Sequence, residues 1–507
     1  MLSIHTTPPA PPPPDAFNMA AHVLDPAERL ADKTALAILS PSRASRWRYG
    51  ALAQAVAGIA AGLRAQGLSP GDRLLMRLGN EVEFPLAYLG AIWAGIVPIP
   101  ASAALTVPEI SRIAKETRPA AIVAAPEISL PEGCAAPVLP SLALREMEAT
   151  PPIAPDLGPP DRPAYIIYTS GTSGSPRGVV HAHRAVWARQ MMWEGWYGLR
   201  ESDRLLHAGA FNWTFTLGTG LMDPWAIGAT ALIPAEGITP AQIPLLLRRH
   251  DATLFAAAPG VYRQILKQAT LPDLPKLRHG LAAGEKLSDR LRAAWEAATG
   301  TRVHEALGMS ECSTYISGSP ARPAPQGTLG FPQQGRRIAV LGPDRKPVTL
   351  GAPGTLAICR SDPGLMLGYL DAPEETAARY AAEWFLTGDT VSLGADGALR
   401  YLGRDDDMMN AGGYRVSPME VETVLQHHPG ITEVACAEVT VKADTRVIGA
   451  FYTGPTALPE AEIADFAAET LARYKCPRVF VHMESLPHSG NGKINRAALR
   501  GWSPSPD

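Results

Sequence analysis

Cysteine is scarce and scattered in this chain: five in 507 residues, Cys134, Cys312, Cys359, Cys436 and Cys476. An odd number without C-x-x-C spacing excludes a disulfide framework and a cysteine zinc site, and fits a reducing, cytoplasmic compartment. Charge is also low. Charged residues make up 19% and the net charge is −3, which gives no general attraction to nucleic acid or to anionic membranes. Long hydrophobic runs are missing. The one uncharged stretch of note, 84–108, is interrupted by Pro85, Pro98, Pro100 and Pro108, and it reads as a buried helix followed by a buried strand rather than a membrane span. The N-terminus, TTPPAPPPPD, lacks the basic and apolar regions of a signal peptide, so residues 1–15 are expected to form a disordered polyproline tail. Internal repeats and the G-x-x-x-x-G-K-[ST] pattern of P-loop enzymes are missing too.

What is present is 46% hydrophobic residues, enough to bury substantial cores, in a chain long enough for two or more domains. Segments of helical period (49–66, 108–116, 239–250) alternate with short β-branched runs (73–76, 121–124, 230–233, 253–256), the signature of an α/β architecture. Over 327–403 the pattern changes to short strands and many turns, which predicts a smaller β-rich subdomain. An acidic, glycine-flanked junction, GRDDDMMNAGGYRVSPME, then precedes a helix at 417–427, with Ser417 as N-cap, Pro418 at the first position and Glu420 completing a capping box. Strands at 434–441 and 447–452, a helix at 459–471 and a strand at 479–483 complete a compact α+β cap. The expected organisation is therefore a tail (1–15), a large N-terminal domain of stacked α/β subdomains plus the β-rich subdomain (16–404), and a small mobile α+β domain (405–507).

The chemistry concentrates in residues 168–181, YTSGTSGSPRGVVH. Thr169, Ser170, Thr172, Ser173 and Ser175 surround Gly171, Gly174 and Gly178, and Arg177 supplies one fixed cation. Glycines let backbone N–H groups converge on an anion, hydroxyls add donors, and β-branched flanks make the segment a strand–loop–strand rather than a linker. Polyphosphate is the expected guest. Four further segments are individually modest. HEALGMSE (304–311) offers Ser310 and Glu311 beside a glycine turn, suited to a metal–phosphate cluster or simply to a solvated helix end. FLTGDT (385–390) places Asp389 after a glycine, suited to ribose hydroxyls or to turn stabilisation. YLGRDDD carries Arg404 and three aspartates, and PHSGNGKINRAALR places Lys493 at a glycine-rich turn, where a lysine is commonly just solvated.

The order of these elements resembles the adenylate-forming superfamily, and within it the AMP-forming acyl- and aryl-CoA synthetases, closest to the short- and medium-chain enzymes. The resemblance covers everything after the proline tail. It implies an acid–thiol ligase using ATP, Mg²⁺ and coenzyme A: a carboxylate attacks the α-phosphorus of ATP, pyrophosphate leaves, and the acyl group passes to a thiol. By the same resemblance Thr169, Ser170, Gly171, Thr172, Ser173, Gly174 and Arg177 wrap the β- and γ-phosphates. Ser310 bonds phosphate, Glu311 holds Mg²⁺, and Asp389 with Arg404 takes the ribose. Gly284 and Glu285 on one side, and Glu305, Ala306, Leu307 and Gly308 on the other, border the nucleotide. Lys493 bridges the carboxylate and the α-phosphate, and together with Thr169, Ser310 and Glu311 forms the catalytic group. Asp406 is the hinge of a domain rotation that presents Gly412, Gly413, Arg415 and Lys475 to CoA, with the three adjacent aspartates exposed to water. Arg177 departs from the family's usual lysine, Leu307 from a frequent aromatic residue, and Ser310 from a frequent threonine. None of these removes a reacting group.

The resemblance also implies that the segment 207–225, HAGAFNWTFTLGTGLMDPW, supplies the acyl pocket: His207, Phe211, Trp213 and Phe215, with Ala283, Gly284 and Met309 opposite. The wall is apolar and aromatic, and Asn212 stands where an amino-acid-activating enzyme tends to place an aspartate. The expected substrate is a compact hydrophobic monocarboxylate, aromatic or short to medium aliphatic, with CoA as acceptor. A ligase that loads a carrier protein and a non-catalytic nucleotide-binding relative are the alternatives. No nucleic-acid partner or membrane span is expected, and the assembly is a monomer or homodimer.

Overall fold

The computed structural model describes residues 1–169, 177–268, 270–405, 407–411, 414–442, 445–471, 473–488 and 494–502, with backbone only at 410, 411, 414, 415, 442 and 445. The chain divides into two compact units, one of Thr6–Arg337 and Cys359–Phe385, the other of Met1–His5, Ile338–Ile358 and Leu386–Asp507.

In the larger unit, apolar runs with no alternation form strands buried on both faces, as parallel sheets require. Leu254–Ala257 and Thr230–Pro234 are buried at every position. They belong to a nine-stranded sheet whose strands run, in spatial order, Phe331–Pro332, Ser313–Ser317, Val303–Met309, His279–Ala283, Leu254–Ala257, Arg204–His207, Thr230–Pro234, Thr34–Leu39 and Ala44–Arg48. Six neighbouring strands, Val303–Met309 through Thr34–Leu39, are parallel, and antiparallel strands flank them on both sides. A second, parallel sheet of four strands has the order Val97–Pro100, Arg73–Arg77, Ala121–Ala124, Val138–Pro140. The helices Tyr49–Ala65 and Glu83–Trp93 belong to the main hydrophobic core, which includes Leu52, Ile59, Phe84 and Leu89. The uncharged stretch after Glu83 is thus the buried helix and buried strand expected, and among the described residues no helix is long and apolar enough to cross a membrane.

In the smaller unit, Leu399–Arg404 pairs antiparallel with the strand before it, setting Asp389 opposite Arg404. A further sheet orders Glu433–Lys442, Thr445–Thr453 and Val479–His482, with helices Pro418–Leu425 and Glu460–Ala468 contributing to its core through Val421, Leu425 and Ile463. Ser417 caps its helix as expected, accepting from the Glu420 N–H at 3.4 Å, but the Glu420 carboxylate accepts from Lys475 Nζ at 2.5 Å.

At the N-terminus Ile4–Thr6 is a strand, and Ser3 is fully buried, donating its N–H to Val348 and accepting from Val340 N–H at 2.8 and 2.9 Å, while residues 7–15 lie in no helix or strand. Three residues are too few to show a period of two, so the pattern gave no warning. The boundary expected after residue 404 is not where the compact units part, because Ile338–Ile358 and Leu386–Arg404 group with the C-terminal residues. Strand pairing, which sequence periodicity does not reveal, decides that grouping.

Candidate active site

Open α/β sheets bind ligands at the carboxyl ends of their parallel strands. Here Ala283 is in register with Ala306, Ala257 with Ala282, and His207 with Ala256. That register brings Gly284, Leu307 and the segment after His207 to the same sheet edge. Gly284 has φ +97°, and a Cβ built there would lie 2.9 Å from Cζ2 of Trp213. The indole therefore lies against a residue that must be glycine. Trp213 meets Phe215 edge-to-face at 5.1 Å, and Phe215 meets His207 the same way at 4.4 Å.

Of the predicted acyl residues, Trp213 and Met309 are partly exposed at this edge, and Ala283 and Phe215 are nearly buried beside it. His207 and Phe211 stand behind it. Phe211 is buried against Phe84, with ring centroids 5.4 Å apart. His207 is fully buried with both ring nitrogens unpartnered, and burial pushes its imidazole down to about 3, so it is neutral. It packs edge-on against Phe215 in the aromatic wall.

The strands on either side of the expected phosphate loop pair with each other. Pro163–Thr169 pairs with Arg177–Ala182, placing Thr169 opposite Arg177. Ser170, Gly171, Thr172, Ser173 and Gly174 lie outside the described residues. Gly368–Tyr369 adds a third strand, pairing Tyr369 with Val179. Ser310 and Glu311 occupy the turn between Val303–Met309 and Ser313–Ser317. Three hydrogen bonds fix this turn. His181 Nε2 meets the Ser310 carbonyl at 2.7 Å, Met366 N–H donates to the Glu311 carbonyl at 2.8 Å, and the Tyr369 hydroxyl donates to Glu311 Oε1 at 2.7 Å. Burial lowers the His181 imidazole to about 4, so the ring is neutral and donates Nε2–H to that carbonyl. Burial and the Glu311 charge raise the Tyr369 phenol, keeping it a donor. Arg177 forms an ion pair with Glu375 and stands 5.6 Å over the Tyr369 ring.

Glu305 turns away from the edge. Buried, it accepts from Leu287 N–H at 2.9 Å and from Lys286 and Arg292 at 3.1 Å each, tying the Gly284–Lys286 segment to the strand beside it. Glu285 is similarly occupied, accepting from Gly260 N–H at 2.9 Å. Ala306 is buried, while Leu307 and Gly308 remain accessible.

In the smaller unit, buried Asp389 accepts from Tyr401 at 3.3 Å and pairs with Arg404 at 3.4 Å. Of the aspartates that follow, Asp405 and Asp407 are held by neighbours. Asp405 accepts from Thr390 and Thr355, and Asp407 pairs with Arg500, both at 2.5 Å for the shorter contact. Neighbouring hydroxyls and a C-terminal helix reach them, which no run of acidic letters discloses. Asp406, Gly412, Gly413 and Lys493 lie outside the described residues, Arg415 is described in backbone alone, and Lys475 is the partner of Glu420. Sequence reasoning assigned no role to Tyr369 or His181, since neither is near Ser310 and Glu311 along the chain.

Residues 24–370 match the model of the AMP-binding enzyme family, and 420–493 match that of the AMP-binding enzyme C-terminal domain. The chain belongs to the AMP-binding enzymes. Benzoate–CoA ligase of Thauera aromatica is 31% identical, covering 90% of this chain and 91% of its own. The human mitochondrial acyl-coenzyme A synthetase ACSM2A is 28% identical over 96% and 91%. Among solved structures, the anthranilate CoA ligase AuaEII in complex with anthranoyl-AMP is 26% identical with a TM-score of 0.86, covering 96% and 97%. The benzoate CoA ligase of Burkholderia xenovorans LB400 is 28% identical with a TM-score of 0.84, covering 96% and 100%. As an AMP-binding enzyme this chain is an acid–thiol ligase, activating an acyl or aryl acid with ATP and transferring it to CoA. Its residues suit Mg²⁺. Among those described no cluster of three or more acidic, histidine or cysteine side chains could cage a metal, and Glu311, a carboxylate at the turn beside Tyr369, would offer the hard oxygen that Mg²⁺ takes when phosphate supplies further oxygens.

Proposed function

We propose that the acid is compact, planar and aromatic, and that the acceptor is CoA itself. The observation that carries this reading is Trp213 lying over Gly284 and edge-on to Phe215, which makes the sheet edge a flat apolar surface backed by a neutral histidine. The ligases similar to this chain that are named for benzoate, 3-hydroxybenzoate and anthranilate support it.

The difficulty of the reaction is that one anion attacks another, so catalysis consists of alignment and charge neutralisation in a dry site. In the proposal Thr169, Arg177 and the loop between them bind the β- and γ-phosphates, Ser310 donates to phosphate, and Glu311 holds Mg²⁺, which when bound offsets phosphate charge. Asp389, oriented by Arg404 and Tyr401, receives the ribose hydroxyls. Gly284, Leu307 and Gly308 border the nucleotide, with Glu305 holding that border in place from behind. Lys493 neutralises charge building on the carboxylate and α-phosphate oxygens. Asp406 as hinge, and Gly412, Gly413, Arg415 and Lys475 as CoA contacts, belong to the same reading. Lys475 would exchange Glu420 for a phosphate. A cytoplasmic location accords with the five cysteines, all free of disulfides, and a monomer or homodimer is the proposed assembly.

Pyrophosphate release from ATP and Mg²⁺, with and without CoA, tests this over acids from acetate to dodecanoate together with benzoate, hydroxybenzoates, anthranilate and cinnamate. Turnover confined to the aromatic acids and dependent on CoA is expected. A preference for octanoate over benzoate would refute the aromatic reading, and exchange without thioester would redirect it to a carrier protein.

A further inference from the structure

Tyr369 lies between two parts of the phosphate site. Its strand, Gly368–Tyr369, pairs with the strand that Arg177 begins. Its hydroxyl donates to Glu311 Oε1 at 2.7 Å, while its ring lies under the Arg177 guanidinium at 5.6 Å. The tyrosine is itself held. Its N–H donates to Thr376 Oγ1 at 2.9 Å, which ties it to helix Pro373–Ala378, and that helix carries Glu375, the ion-pair partner of Arg177. The ring is half-buried, so the phenol is neither free to rotate in bulk water nor sealed from the site.

A carboxylate that carries most of the protein's share of a metal site gains from a fixed rotamer, because a mobile side chain must be ordered each time the metal binds. A hydroxyl donating to one carboxylate oxygen does this and leaves the other oxygen to face the metal. A cation over an aromatic face is likewise confined without losing its N–H groups. We infer that Tyr369 is a positioning residue that presets the Glu311 carboxylate for Mg²⁺ through its hydroxyl and the Arg177 guanidinium for polyphosphate through its ring. This rests on the proposed role of Glu311 as the Mg²⁺ ligand.

The two halves of the inference separate by substitution. Tyr369→Phe removes the hydroxyl and keeps the ring, whereas Tyr369→Leu removes both. Calorimetric binding of a non-hydrolysable ATP analogue, titrated with Mg²⁺ and separately in EDTA, reads each half without turnover. Tyr369→Phe should weaken the Mg²⁺-dependent component about tenfold, which is about 1.4 kcal/mol, and leave binding in EDTA unchanged. Tyr369→Leu should weaken both. In pyrophosphate exchange, Tyr369→Phe should raise the Mg²⁺ needed for half-saturation by a similar factor without moving KM for the acid. Glu311→Gln serves as reference. If it lowers Mg²⁺-dependent binding while Tyr369→Phe matches the wild type, the positioning role is overturned. If Glu311→Gln itself binds Mg²⁺ and analogue normally, the metal assignment is wrong, and the role given to the Tyr369 hydroxyl falls with it. Equal weakening by Tyr369→Phe in Mg²⁺ and in EDTA would show a merely structural residue and would also overturn the proposal.

Discussion

Replacing Gly284 by alanine puts a methyl group 2.9 Å from Cζ2 of Trp213 and 3.1 Å from its Cη2. Carbon atoms ordinarily rest about 3.5–4.0 Å apart, so the indole would have to retreat by over half an ångström. It is poorly placed to do so, since Phe215 meets it edge-on at 5.1 Å. Overpacking of this kind costs about 1–3 kcal/mol. A second cost arises at the backbone, because φ is +97° and an L-residue in the left-handed region costs roughly 1–2 kcal/mol. Divided between stability and the acid site, these terms should lower kcat/KM for an aromatic acid by about 10- to 100-fold, at 1.4 kcal/mol per decade, while KM for ATP changes little. The assay is steady-state pyrophosphate release with benzoate, on Gly284→Ala alone and in a Trp213→Phe background. The smaller ring should remove the overpacking and leave only the backbone cost, so the penalty should shrink to about tenfold or less. Activity within twofold of wild type for Gly284→Ala, or the same penalty in both backgrounds, would refute the assignment of this contact to the acid site.

Glu375→Gln frees Arg177 from its exposed ion pair, an interaction of about 0.2–1 kcal/mol. KM for ATP should fall up to about fivefold at low ionic strength, and raising the salt concentration should close the gap. Lys493→Ala should lower adenylation by about 10²–10³, the equivalent of ~3–4 kcal/mol of transition-state stabilisation, yet largely spare thioester formation from supplied acyl-AMP. Equal loss in both half-reactions would contradict its role. Burial depresses His181 and His279 to about 4, and His183, His207 and His304 to about 3, from 6.5. The folded state thus excludes protons that the unfolded chain binds, so stability is full above about pH 6.5 and falls as the pH is lowered toward 4. Urea midpoints measured across that range should decline, and His207→Phe should flatten the decline by about one proton.

Much of the framework was legible in the letters because it is local. Fully apolar runs such as residues 254–257 declare strands buried on both faces, the prolines between 84 and 108 exclude a span, and Ser417-Pro418 marks a helix start. The two strands flanking residues 170–176 follow from their β-branched sequence, and Thr169 and Arg177 do pair. What stayed hidden depends on contacts between residues far apart in the chain. The Ile4–Thr6 strand is too short to show a period and exists because a sheet edge accepts it. His207 and Phe211 share the aromatic character of Trp213, and only packing separates the two that support the wall from the one at the edge. Glu305 looks like a free carboxylate beside a nucleotide until Lys286 and Arg292 are seen to hold it.

By itself, then, the sequence determined the α/β class, the strand–loop–strand around residues 170–176 and the adenylate-forming chemistry, because turn geometry, periodicity and the order of motifs are properties of short segments. Tertiary structure alone decided which side chains meet. Tyr369 and Glu311 stand 58 residues apart in sequence and 2.7 Å apart in space. Such a meeting is set by sheet register and buried packing, which summed local preferences do not encode.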